Sequence, residues 1–381
     1  MLAIVAAVVA FGCAGCDWVV VDGDGEPQPP PQAPPEDTNP PPDGPPDPPP
    51  PPPDDTTPPV PTLGIWLSPE EIAQLPMSGR AWEALQQRAD ADAGTPNVSD
   101  QNQSNNVDVL AKALVYARTG EESYRTEVRQ NCMAAIDTEL GGRTLALGRE
   151  LAAYVIAADL VGLSEAEDQT FRAWLRRTLT EVLDGRTLQS THEERPNNWG
   201  THAGASRAAV AAYLGDAAEL ERSAQVFRGW VGEREFYAGF DYGDLSWQAN
   251  PQAPVGINPA GATKQGESID GAIPDDMRRG CGFQFPPCGT GYPWEALQGA
   301  TVMAEILHRR GYDAWNWGDR ALLRAVQFLF ELDRRYGGWG ADGDDEWNVW
   351  LVNHAYGSDF PTESPARSGK NMGWTDWTHA R

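Results

Sequence analysis

Beyond residue 63, apolar residues recur every three to four positions through most of the chain. That spacing lines them along one face of a helix. It predicts helices over 107–118, 123–140, 145–161, 165–183, 198–214, 217–232, 292–310, 320–336 and 346–356. Ser68-Pro69-Glu70-Glu71 reads as a capping box, with Pro at the first helical position, where its missing N–H does no harm. At Val161-Gly162-Leu163-Ser164 one helix hands over to the next. Gly162 can end the first in a left-handed conformation, and Ser164 with Glu167 can cap the second. Strand-like alternation is rare. About ten helices joined by short loops imply an all-α domain of stacked helical hairpins: a bundle, a solenoid or an α/α toroid. Residues 236–287 break the pattern with Gly, Pro, Asp and aromatics. A long irregular insertion among helices marks where substrate contacts are expected.

Composition divides the chain further. Residues 2–16 are apolar and close on small residues, a secretory signal pattern too short to span a bilayer. Ala14-Gly15-Cys16 resembles a bacterial lipobox, which implies lipid attachment at Cys16, with Cys13 as the fallback. An exported protein tethered at the cell surface or facing the periplasm is then expected. Between Pro27 and Pro61 lie 20 of the 33 prolines. Proline fixes φ and donates no hydrogen bond, so residues 17–62 read as a stiff, extended, acidic linker. Its ten acids and absence of Lys or Arg account for −10 of the formal −26, leaving −16 for the domain at 63–381. So acidic a domain is a poor partner for nucleic acid, and it can take a polyanion only through a local basic site. Cys281 and Cys288 bracket six residues; in an exported chain this spacing favours a disulfide-closed loop over a metal site. Cys132 lies in an apolar helical pattern and reads as a buried free thiol. No metal or cofactor is expected, and the domain reads as a monomer.

Two segments about eighty residues apart carry the candidate chemistry. The first is Pro196-Asn197-Asn198-Trp199-Gly200-Thr201-His202. The second holds Asp270-Gly271-Ala272-Ile273-Pro274, Arg278-Arg279-Gly280 and Gly291-Tyr292-Pro293-Trp294-Glu295. Asn198 and His202 are four apart, on one helix face. The bland reading is a helix start in which Asn197 caps, Trp199 packs and His202 meets a local need. Together, however, an amide, an imidazole, guanidiniums and a phenol suit removal of a proton beside a sugar carboxylate. The hydrogen at C5 of a uronate is not acidic while the adjacent carboxylate is an anion. Amide, imidazole and Arg donors at the carboxyl oxygens let charge spread into it. A base must then take the C5 proton, and an acid must protonate O4. A phenol can do both in turn where the two atoms share a side of the ring, and a nearby Arg favours its phenolate. Where they lie on opposite sides, a second group such as His202 would have to be the base. Trp199, Tyr242, Trp247, Trp294 and Trp339 are candidate sugar platforms, although most of the 15 Trp are expected in the core.

Asp270-Gly271-x-Ile273-Pro274 followed by Arg279-Gly280, Tyr292 and Glu295-Ala296-Leu297-Gln298-Gly299 resembles the alginate lyase superfamily. So do Asn197-Asn198 opening an Ala-rich helix, Trp350-Leu351-Val352-Asn353-His354-Ala355-Tyr356-Gly357, and Gly373-Trp374-Thr375-Asp376-Trp377. The resemblance runs from about residue 67 to the end and is closest to polysaccharide lyase family 38, of alginate and glucuronan lyases. It implies an α/α toroid, a groove for an anionic polysaccharide and β-elimination. Asn198 and Arg279 take the neutralising positions, and Tyr292 that of the proton carrier. Relatives often read Asn-Asn-His-x-x-Trp; here Trp199 and His202 have exchanged places. The Arg-to-Tyr spacing is also longer, with the Cys281–Cys288 loop inserted, and a disulfide would keep that insertion compact. Arg278 joins Arg279 in drawing in an anionic chain. Two other classes compete. A glycoside hydrolase would need two carboxylates across the bond, from Glu267, Asp270, Asp275, Asp276 or Glu295. A non-catalytic glycan-binding lipoprotein needs only aromatics and Arg.

Overall fold

Helices that are apolar on all sides must be buried, and those with one apolar stripe must cover them. The computed structural model, which describes residues 64–380, sorts its helices in this way. The signal and lipobox cysteines Cys13 and Cys16 and the linker at 17–62 lie outside the described residues.

The helices are α1 (Pro69–Gln74), α2 (Arg80–Asp90), α3 (Asn105–Thr119), α4 (Glu122–Ala135), α5 (Thr144–Val161), α6 (Glu165–Thr180) and α7 (Leu188–Glu194). They continue as α8 (Asn198–Leu214), α9 (Ala217–Trp230), α10 (Pro274–Met277), α11 (Tyr292–Arg309), α12 (Trp317–Tyr336), α13 (Glu346–Tyr356) and α14 (Thr375–Thr378). One inner layer runs α3, α5, α8, α11, α13, each packed on the next. Helices α4, α6, α9 and α12 lie outside it. Every residue of α5 is buried, whereas the outer α6 buries only Asp168, Phe171, Trp174, Leu175, Thr178 and Leu179. This is the all-α, α/α-toroid arrangement of helical hairpins. The small strands β1 (Thr263–Lys264) and β2 (Glu267–Ser268) pair antiparallel across Gln265-Gly266, both at positive φ.

The inner helices approach closely because small residues line them. A Cβ on Gly299 of α11 would lie 2.4 Å from the His202 backbone nitrogen of α8. One on Gly148 of α5 would lie 2.9 Å from the nitrogen of Ala203. Helix α8 is thus clamped between α5 and α11, and the N-terminal end of α11 is brought beside that of α8.

Burial of charge on α5 has a measurable cost. Both carboxylate oxygens of Glu150 are buried without a hydrogen-bond partner. Burial, assisted by the Asp100 charge, pushes this carboxyl up to about 9. The unfolded chain releases the proton near pH 4.3. Between these values the folded state binds more protons, so stability falls as pH rises from about 4.3 to about 9. Glu150→Gln is therefore expected to melt above the parent at pH 8, by on the order of 3 kcal/mol in stability. The gap should close at pH 4. Melting curves across this range check it; a gap independent of pH would refute the account.

Candidate active site

Helix α8 begins where the sequence places it. Asn197 has extended backbone angles, and its side chain accepts from the Trp199 backbone N–H at 3.2 Å. Asn198, the first helical residue, is 1% exposed. Its backbone N–H donates to Asp276 Oδ1 at 3.3 Å, and its side-chain Oδ1 accepts from Arg279 Nη1 at 3.0 Å. Arg279 follows α10, and its own N–H donates to the Asp276 carbonyl at 3.2 Å. Its guanidinium carbon lies 3.3 Å from the centroid of the Tyr292 ring, a cation–π contact. Tyr292 starts α11. Arg279 and Tyr292 are both partly exposed, so this contact reaches the surface. Asn198, Arg279 and Tyr292 thus meet with Arg279 in the middle. Asn198 is too buried to face a ligand broadly, and its amide reaches the site through Arg279.

His202 is not at that surface. Its ring is fully buried, with no hydrogen-bond partner on either nitrogen. Burial pulls the imidazole down to about 4, so it is neutral at pH 7. Nε2 lies 3.9 Å from Glu295 Oε2, too long for a hydrogen bond. A fully buried, neutral ring thus lies behind the Arg279–Tyr292 contact, whereas His202 was expected beside it as a carboxylate neutraliser or, for an opposite-side elimination, as the base. His202, nearly one turn along α8 from Trp199, faces α11, with Gly299 and Glu295 against it.

The aromatic expectations also need correction. Trp247 is 0% exposed and its indole N–H donates to the Cys281 carbonyl. Trp294, 3% exposed, donates to the carbonyl of Trp339, which is itself buried. Rings so enclosed offer no face to a sugar; they are core. Trp199 is partly exposed, with the Arg195 guanidinium carbon 4.5 Å from its ring centroid. Tyr242 is partly exposed as a residue, but its hydroxyl is buried without a partner. Arg278 is held by Asp275, its Nε donating at 2.8 Å. Cys281 and Cys288 are joined as a disulfide, their Cα atoms 5.7 Å apart, and Cys132 is a buried free thiol.

Charged residues missed as a group stand behind the site. Arg149 of α5 donates to Glu295 Oε2. Burial pushes the Glu295 carboxyl up, and the neighbouring His202 first and the Arg149 guanidinium second bring it below the usual carboxylate range. Asp276 is buried with Oδ2 unpartnered; burial first, and the Asp275 charge second, raise its carboxyl well above the ordinary value. The available signal was an Arg-Glu pair at 149–150 inside a largely apolar helix. Of the five carboxylates a hydrolase could use, Asp276 is buried with one oxygen unpartnered, and the other four are paired. Glu267 pairs with Arg335, Asp270 with Arg324, Asp275 with Arg278 and Glu295 with Arg149.

The alginate lyase family model matches residues 109–234. That stretch runs from within α3 to just past α9, so it contains Asn198 and stops before Arg279 and Tyr292. No curated protein matches the chain. Among solved structures it is similar to alginate lyase A1-III with a His-to-Ala substitution, complexed with tetrasaccharide. Identity is 13%, the TM-score is 0.50, and 81% of this chain and 91% of that one are covered. It is similar also to alginate lyase A1-III with a Tyr-to-Phe substitution, complexed with tetrasaccharide, at 12% identity. There the TM-score is 0.54, with 86% of this chain and 98% of that one covered. The resemblance to the alginate lyase superfamily carried by the sequence motifs therefore holds in two further respects, a family-model match over residues 109–234 and the all-α fold of the A1-III structures.

Proposed function

We propose that the protein is a polysaccharide lyase that cleaves a 1,4-linked polyuronate by β-elimination. The observation that carries this is Arg279, bonded to the Asn198 amide on one side and stacked on Tyr292 on the other. In this reading Arg279 binds the uronate carboxylate and stabilises the charge that builds there as the C5–H bond breaks. Asn198 holds the guanidinium in place. Tyr292 takes the C5 proton as phenolate, and the resulting phenol protonates O4 as the C4–O4 bond breaks. The A1-III structures hold tetrasaccharides with a histidine or a tyrosine replaced, which supports an oligosaccharide ligand for this fold.

With His202 buried, Tyr292 is left to serve both steps, and that fits substrates whose H5 and O4 share a face. Mannuronate and glucuronate have the same configuration at C4 and C5 and meet this condition; guluronate, the C5 epimer of mannuronate, does not. The substrate is thus polymannuronate-type alginate or glucuronan, drawn to Arg279 against a domain charge of −16. Lipid attachment at Cys16, with the linker as spacer, would present the domain to extracellular polymer.

The test is incubation with polymannuronate, glucuronan and polyguluronate. An unsaturated, ultraviolet-absorbing end is expected from one of the first two and not from the third. Saturated ends would show a hydrolase, and binding without cleavage would show a glycan-binding protein; either result sinks the lyase reading.

A further inference from the structure

The disulfide loop lies between the two residues that meet at the surface. Cys281 follows Arg279 by two positions, and Cys288 precedes Tyr292 by four. The two arms of the loop are held very differently. The Cys281 arm is fixed to the core: the buried Trp247 indole donates to its carbonyl at 3.1 Å. Phe283 and Phe285 pack on the same Trp247 ring, with centroids 4.9 and 5.8 Å away. The Cys288 arm is held more lightly: Pro287 is buried, and Gln284 Nε2 lies 3.4 Å from Cys288 Sγ. Among the described residues, 281–290 make no backbone–backbone hydrogen bond. At the neck of the loop the arms nearly touch: a Cβ on Gly280 would lie 2.6 Å from the Cys288 carbonyl oxygen. The covalent link across that neck therefore carries the registration that hydrogen bonds supply elsewhere.

We propose that the Cys281–Cys288 disulfide is a positioning element of the site, holding the approach to α11 so that the Tyr292 ring stays against Arg279. The inference rests on the lyase reading for its effect on turnover, but not for its effect on structure. An unpinned Cys288 arm loosens the chain up to the buried Pro293 and Trp294, so the Tyr292 ring ahead of them can shift, and a misplacement of about 1 Å is enough to cost on the order of 10²-fold in rate. Helix α8 and the core around Trp247 do not depend on the link.

The experiment uses the full chain in three forms: oxidised, reduced with dithiothreitol, and carrying Cys281→Ser with Cys288→Ser. Turnover, hydrogen exchange by mass spectrometry and melting are measured on each. The reduced and double-substituted forms are expected to lose at least tenfold in kcat, with KM within about threefold. Amide exchange across 289–294 should rise while exchange in α8 is unchanged, and reoxidation should restore the reduced form. An unchanged kcat in a form shown to lack the disulfide overturns the proposal, as does loss of activity that merely follows melting of the whole domain. If the oxidised protein forms no unsaturated product on any polyuronate, the lyase reading fails by itself. Exchange across 289–294 then decides: faster exchange without the link upholds the positioning role, and unchanged exchange overturns it.

Discussion

Tyr292→Phe is expected to lower kcat by about 10²–10⁴-fold, the range that general acid–base groups supply. The substitution removes one oxygen and little else. In the proposed mechanism this hydroxyl alone takes the C5 proton and returns it to O4, since His202 is buried and neutral. The ring remains, and with it the contact beneath the Arg279 guanidinium. Polymer binding should therefore survive, with KM changed by no more than a few-fold. Stability should change little, because the residue is partly exposed and sits at the first position of α11. Initial rates of unsaturated-end formation, with melting curves as the control for folding, make the measurement. Full activity in the variant would remove Tyr292 from the chemistry and leave the phenol role without a candidate here.

How far the sequence could be read depended on what each signal measures. Helix α8 was legible to the residue because both ends are chemically marked. Asn197 accepts a backbone N–H at the start, and Gly215 takes the left-handed conformation at φ 68° at the end. The junction at Ser164 was legible for the same reason, with Glu167 Oε2 accepting from the Ser164 N–H at 2.9 Å. The helix expected over 123–140 overran. Its apolar spacing continues past the end of α4 at Ala135, but Asp137 sits at φ 66° and turns the chain away. Short helices such as α7 and α10 were missed because seven and four residues carry too little period to detect. Asn198, Arg279 and Tyr292, singled out in two separated segments for their residue types and the resemblance they carry, do lie together. Burial was the unread quantity. Periodicity cannot tell an indole facing solvent from one facing a neighbouring helix, so Trp247 and Trp294 read alike with Trp199. Nor did it show that His202 faces inward, or that Arg149 crosses from α5 to meet Glu295.

The central place of Arg279 leads to the second large effect. Arg279→Ala should lower kcat/KM by about 10²–10³-fold, the loss found when one preorganised donor to a developing anion is removed. Arg279→Lys should recover only part of this. A lysine keeps the charge, but it lacks the planar fork that donates to Asn198 Oδ1 while its face lies on the Tyr292 ring. Asn198→Ala acts through the same guanidinium, by removing the acceptor that orients it. Its effect should be smaller, about tenfold, and should not add to that of the arginine. In a double-mutant cycle the Asn198→Ala, Arg279→Ala protein is expected to be scarcely worse than Arg279→Ala alone, because the amide has nothing left to orient. Losses that multiplied across the two positions would mean that Asn198 meets the substrate independently, and the chain of contact from buried amide to exposed phenol would then not be the working unit of the site.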